Sequence, residues 1–275
     1  MAAHAAVADA TRKLRRARRR FLEREDAESL HSLRVALRRL RAVLTLFRPI
    51  LVLPRRLGDR DLRRAGHDLA DLRDQDVALE AMAALPALDD EAQHRLHRRT
   101  RRREREAHRV AGRLRGSRVR SMLRALRRWD QSPAFSVDED TPAPVLLPGM
   151  RSRVAAIELH PAWCLTLQPD AAGTLHALDT IYDDDTTAEL LHELRRRLKQ
   201  ARYQLEVMAR VFAGDWSPPL ERLRLLQESL GVMQDVRVLG PLAAVPYDRV
   251  RVASAAWDDL RGERLGGLRE LLDGR

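Results

Sequence analysis

The feature that most constrains this chain is an internal repeat. The segment HSLRVALRRLR begins at His31 and HELRRRLKQAR begins at His192, an offset of 161. Downstream, LADLRD begins at Leu69 and LGVMQD at Leu230, and the offset is again 161. Two separate motif pairs in one register, with no net gap between them, point to a duplicated helical hairpin. Each copy needs its own buried face. The fold expected is therefore all-α, with each half built on one copy of the helical hairpin. The copies diverge at their edges. Residue 5 maps onto residue 166, whose surroundings do not resemble the basic first helix. Residue 89 maps onto 250, too near the end of the chain for a full-length copy of the long segment that starts at 89.

Apolar residues recur at helical spacing through most of the sequence. Leu14, Ala17 and Phe21 predict a first helix over about 5–25. Leu33, Ala36, Leu37, Leu40, Val43, Leu44 and Phe47 predict a second over about 28–48, closed by a turn through Pro49, Pro54 and Gly58. A helix over 59–84 ends before Pro86, and one long helix covers 89–128. Helix resumes near 187, where Thr186 and Glu189 stand at capping-box spacing, and runs to Phe212. Helices over 219–239 and 249–273 complete the chain. Between the halves, residues 131–149 hold four prolines and an acidic cluster, through which no helix passes. Residues 160–181 alternate weakly and fit a short hairpin or an irregular loop. The organisation expected is an N-terminal bundle (1–130), a linker and irregular segment (131–185) and a C-terminal bundle (186–275).

The repeated helix carries a distinctive face. At about 100° per residue, His31, Arg34, Arg38 and Arg41 fall within a stripe roughly 80° wide, opposite Leu33, Leu40, Val43, Leu44 and Phe47. His192, Arg195, Lys199 and Arg202 occupy the same angles in the second copy. Each copy thus presents an imidazole and three cations in a row about 15 Å long. Like charges three and four residues apart repel one another, so an anion should offset them. Two sources fit: a bound polyanion, or carboxylates on the following helix, where Asp74, Asp76 and Asp235 stand.

The 275 residues carry a formal charge of +11, which attracts polyanions without choosing among them. Lysine occurs only at Lys13 and Lys199. Arginine suits phosphate, because two of its N–H groups can bond one phosphate, although a GC-rich genome produces the same bias. Aromatic residues make up 4% of the chain and none interleaves with the basic rows, which counts against base-stacking single-strand recognition. Duplex phosphate backbone needs no aromatics and remains compatible. His94 and His97 share a helix face, but no cysteine set or HExxH pattern accompanies them, so no metal is expected. No P-loop, GxGxxG, GxSxG or ExExK pattern is found; no catalytic residue and no cofactor are expected. Cys164 stands alone and cannot form an internal disulfide, which fits a cytoplasmic location. The first residues do not pattern as a secretory signal, and no apolar run is long enough to span a membrane.

HSLRVALRRLR at 31–41, LADLRDQDV at 69–77, LHELRRRLKQARYQLE at 191–206 and LGVMQDVRV at 230–238 resemble the signature segments of the CHAD family, four segments in family order. The resemblance implies two pseudo-symmetric antiparallel helical bundles related by the internal repeat, whose basic central surface binds inorganic polyphosphate without catalysis, at polyphosphate granules. Carried over by motif, the implied phosphate ligands are His31, Arg34, Arg38, Arg39 and Arg41, with His192, Arg195, Lys199 and Arg202 in the second half. Some members carry a triphosphate-tunnel domain, which no segment here resembles. Two departures stand out: Ala70 where the second copy has Gly231, and a stretch at 160–185 unlike a family helix. The competing readings are non-specific nucleic-acid-backbone binding and an enzyme acting on phosphate polymers.

Overall fold

The computed structural model describes residues 2–54, 57, 59–83, 90–138, 143–169, 175–178, 184–239 and 247–273. They form an all-α protein in two compact units, Met1–Thr141 and Pro142–Arg275.

The first unit contains α1 (Ala2–Arg24), α2 (Ala27–Leu46), α3 (Asp59–Ala83), α4 (Asp90–Arg115) and α5 (Ser117–Gln131). Helix α1 packs on α2, α2 on α3, α3 on α4 and α4 back on α1, which closes a four-helix ring; α5 joins α1 and α4. The turn between α1 and α2 is sharp. Glu25 takes a left-handed φ of 52°, and the Asp26 carboxylate accepts a bond from the Ser29 amide at 2.7 Å, capping α2. The long helix expected over 89–128 is broken at Gly116. Gly116 is extended there, and a Cβ on it would stand 2.9 Å from the Arg113 carbonyl oxygen, so a side chain does not fit.

The second unit contains α6 (Leu147–Glu158), a hairpin of β1 (Thr166–Pro169) and β2 (Leu175–Leu178), α7 (Asp184–Met208), α8 (Ser217–Leu239), α9 (Tyr247–Glu263) and α10 (Leu268–Asp273). The strands are antiparallel, with Thr166 opposite Leu178. Three expectations are corrected here. Within 131–185 the hairpin admitted for 160–181 is present and packs on α7 and α9, while α6, packed on α7 and α10, was not expected. Helix α7 begins at Asp184, so Thr186 lies inside it and is not its cap. The terminal helix is divided, with a turn through Gly266 and Gly267. The end of α3 toward Pro86 and part of the acidic stretch, 139–142, lie outside the described residues.

The same positions are buried in both copies. Leu33, Leu37, Leu40, Leu44 and Phe47 of α2 correspond by the offset to Leu194, Leu198, Ala201, Leu205 and Met208 of α7, and all ten are buried. Leu62, Leu69 and Leu72 of α3 likewise match Leu223, Leu230 and Met233 of α8. What differs is the fourth side of the ring. The offset places the α1 sequence over 163–185, and there the hairpin lies between α7 and α9. Its backbone is tied to α9 by Trp257 Nε1, which donates to the Leu165 carbonyl at 3.1 Å, and by Ser254 Oγ, which donates to that of Leu167 at 2.5 Å. Trp163 and Trp257 stack at 5.3 Å beneath it. Strands of four residues each cannot supply a four-turn apolar face, so two tryptophans fill the volume instead.

One buried ion pair locks the first ring. Arg103 of α4 donates to Asp76 of α3 at 2.6 Å and to the Glu25 carbonyl at the α1–α2 turn, and the two side chains are 11% and 3% exposed. Removing one partner leaves the other charge buried and uncompensated. Asp76→Ala is expected to destabilise the first unit by about 3–5 kcal/mol in urea unfolding, and Asp76→Leu with Arg103→Met to recover most of that loss. A loss below about 1 kcal/mol for Asp76→Ala would show that water reaches the pair.

Candidate functional site

The cap at Asp26 starts α2 so that His31 stands in its second turn, with the leucines turned inward and the histidine–arginine row turned toward α3. His31 is exposed, and Arg34, Arg38 and Arg41 are half-buried. Arg73 of α3 joins them. Its guanidinium makes a two-pronged bond to Glu80, at 2.8 and 3.2 Å. Burial pulls the Arg34 pKa down to about 10, and Arg38 and Arg73 add to that pull, while Asp74 and Asp76 oppose it. Among the described residues no carboxylate lies within 4.0 Å of Arg34 or Arg38. Burial also lowers the His31 pKa, followed by Arg73, Arg34 and Arg38, with Glu80 pulling the other way. The local potential is therefore strongly positive around groups that are partly withdrawn from water.

The carboxylates suggested as internal counter-charges turn elsewhere. Asp76 is taken by Arg103 on α4, and Asp235 lies 3.7 Å from Arg249 on α9. Both pair with the next helix along the chain, away from the row. Asp74 is exposed, and acts on Arg34 only through its field.

The second copy is balanced differently. His192 is exposed and Arg195, Lys199 and Arg202 are half-buried. Arg195 Nη1 donates to Gln234 Oε1 of α8 at 2.7 Å. Gln234 is the offset counterpart of Arg73, so one copy puts an acceptor where the other puts a further cation. Arg202 Nε donates to Gln227 Oε1 at 3.0 Å, its Nη1 donates to Glu206 at 3.0 Å, and its guanidinium lies 5.1 Å from the Tyr203 ring centre. The helix contacts themselves repeat. Arg41 lies over Gly66 and Arg202 meets Gln227, two pairs related by the same offset.

The structure brings His31, Arg34 and Arg38 together with Arg73, and lines Arg195 and Arg202 along α8. Arg39 is exposed on α2, off the stripe by about 80° of helical rotation from His31. Arg73 and Gln234 were missed by reading each helix alone; the signal for them was their paired position inside the second repeated motif. His94 and His97 are exposed on α4, and no group of three His, Cys, Asp or Glu able to hold a metal occurs among the described residues. No described helix is long and apolar enough to cross a membrane.

A two-unit helical protein with a histidine-led cationic face in each unit is the class that fold and site define. The family is equally plain: the CHAD domain profile matches residues 5–244, and the chain belongs to the CHAD domain family. The crystal structure of the CHAD domain from the plant Ricinus communis is similar in fold, with a TM-score of 0.65 and 24% identity, over 99% of this chain and 88% of that one. PptA from Streptomyces chartreusis aligns over 100% of this chain and 98% of its own, with a TM-score of 0.47 and 16% identity. No curated protein matches the sequence.

Gly231 explains one difference between the copies. Arg195 lies flat on α8 at this point, and a Cβ on Gly231 would stand 3.0 Å from its Nη2. Gly231→Ala should displace the guanidinium and break its bond to Gln234. The better helix propensity of alanine, about 0.5–1 kcal/mol, nearly cancels a hydrogen bond worth about 0.5–1.5 kcal/mol. The expected outcome is a thermal midpoint within a few degrees of the parent, with the Arg195 side-chain NMR signals shifted. A loss above about 2 kcal/mol would mean that the α8 backbone, not the arginine, gives way.

Proposed function

We propose that this protein binds inorganic polyphosphate, without turning it over, through His31, Arg34, Arg38, Arg39 and Arg41 in the first unit and His192, Arg195, Lys199 and Arg202 in the second. The observation that carries the reading is Arg34: a half-buried cation beside Arg38 and Arg73, with no carboxylate within 4.0 Å among the described residues. A site that withdraws cations from water without pairing them favours a ligand that brings its own negative charge, and a phosphate chain offers closely spaced charge along a row about 15 Å long. Family membership supports the same ligand. Cytoplasmic polyphosphate granules are the setting this function implies.

The competing ligand is nucleic-acid backbone, and one experiment separates the two. Labelled polyphosphate is titrated onto the full chain at fixed salt, with unlabelled duplex DNA as competitor. Polyphosphate should hold against an equal concentration of DNA phosphate; displacement by DNA at that concentration overturns the reading. Replacing Arg34 and Arg195 together by Glu removes one cation from each face and adds repulsion. Polyphosphate affinity should fall more than a hundredfold with helical content retained, and unchanged affinity in the folded variant would reject these faces as the site.

Protons should follow the ligand. In the free protein the His31 imidazolium is disfavoured by burial and by Arg73, Arg34 and Arg38. Bound phosphate neutralises those cations and adds negative charge, which favours the imidazolium. A group whose pKa rises on binding takes up a proton, so affinity should increase as pH falls from about 8 to 6, through the reference histidine value of about 6.5. His31→Gln should flatten that rise while binding nearly as well at pH 8. Calorimetry in two buffers of different ionisation enthalpy reads the proton directly; zero uptake by the parent removes His31 charge from the mechanism.

A further inference from the structure

A second basic feature lies in the first unit, and the repeat does not account for it. Helices α1 and α5 border an open groove of about 740 Å³. Eight arginines line it, against a single carboxylate, Glu23. On α1, Arg12, Arg15, Arg16 and Arg19 are spaced three and four apart and share one face; on α5, Arg120, Arg124 and Arg127 do the same. The groove shares no lining residue with the α2 row.

The charges in it are sparsely compensated. Arg12 lies 3.7 Å from Asp9, and Arg19 lies 3.8 Å from Glu23, both at the exposed surface. Among the described residues no carboxylate comes within 4.0 Å of Arg15, Arg16, Arg120, Arg124 or Arg127. Arg18 has a different task. It donates twice to the Leu114 carbonyl, at 3.1 and 2.9 Å, and so holds the end of α4 against α1. Burial lowers its pKa, and Arg115, Arg120 and Arg15 lower it further. Among the described residues this structural guanidinium bonds only a neutral carbonyl, and it does so in the field of neighbouring arginines.

We propose that the α1–α5 groove is a second anion site, which takes a single unbranched strand of phosphates. Leu22 and Leu123 supply its apolar lining and no aromatic side chain does, so it lacks the aromatic platforms on which successive bases stack. The cations stand on both walls of the groove, so a phosphate strand lying along it meets charge from α1 on one side and from α5 on the other. Two separated sites on one protein let one long chain engage both, and the second contact then forms at high effective concentration. The identity of the strand as inorganic polyphosphate rests on the proposed function; the groove itself does not.

Arginine-specific chemical modification, read by mass spectrometry on the full chain, tests the site. It is run with inorganic polyphosphate and separately with duplex DNA, in the parent and in the Arg34→Glu, Arg195→Glu variant. The expected result is that polyphosphate shields Arg15, Arg16, Arg124 and Arg127 in both proteins. Shielding of the α2 and α7 arginines alone overturns the groove and leaves the proposed function standing. Shielding of the groove by DNA but not by polyphosphate overturns the assigned ligand. Shielding of neither region in the parent overturns both readings. A variant with Arg15, Arg16, Arg124 and Arg127 changed to Gln gives an independent measure. Its log–log salt dependence of polyphosphate binding should be shallower by about 3, from about 0.7 released counterions per lost phosphate contact. An unchanged slope and affinity would show that the groove does not engage the chain.

Discussion

A row of cations can lie along a helix only if the opposite side of that helix holds it there. On α2 the holding is done by Leu33, Leu37, Leu40, Leu44 and Phe47, and on α7 by Leu194, Leu198, Ala201, Leu205 and Met208. Burying a large apolar side chain is worth about 1.5–3 kcal/mol, whereas like charges three or four residues apart cost only a few tenths of a kcal/mol per pair. The core therefore wins by a wide margin. On α2, Arg34 and Arg38 hold their places with no carboxylate within 4.0 Å among the described residues.

The partners of the acidic residues reinforce this. Asp76 and Asp235 stand one helix away from the rows, close enough in sequence to have been their natural counter-ions. Each instead faces the next helix, where Arg103 and Arg249 take them. The two faces then part ways. In the first unit Arg73 adds charge beside Arg34; in the second, Gln234 accepts from Arg195, and Glu206 and Gln227 hold Arg202. Arg34 and Arg38 are left to the field of their neighbours, whereas Arg195 and Arg202 are fixed by hydrogen bonds to α8 and to Glu206.

Much of this was legible in the sequence, because both the apolar period and the repeat offset are backbone-scale signals. The hairpins α2–α3 and α7–α8, the inward leucines and the histidine–arginine rows follow from them directly. The break at Gly116 was not, since nothing in the apolar period marks a helix that ends and restarts on the same face; only the clash with the Arg113 carbonyl reveals it. The role of 143–178 was legible only in part. The weak alternation over 160–181 admitted the hairpin that β1 and β2 form, but nothing in it marked α6 or the stacking of Trp163 on Trp257. The site was half-legible. Residues on one helix can be grouped by angle, while Arg73 and Gln234 enter from a neighbour, and which charges are left unpaired depends on distances that no period encodes.

The near-absence of lysine acquires a physical sense at Arg34. Burial and two neighbouring cations pull its pKa to about 10, yet it stays fully charged near neutral pH because guanidinium starts so high. A lysine in that place would start from about 10.4, and the same withdrawal from water would bring it close enough to neutrality to lose part of its charge. Its compact ammonium is also more strongly hydrated, so it would resist the half-buried position that Arg34 occupies. The one lysine of the two rows, Lys199, falls in the second copy, where Gln234 rather than a further cation meets the arginine one turn away. Residue choice thus follows the local potential: where cations crowd together and water is thin, only arginine keeps the charge that a phosphate chain would meet.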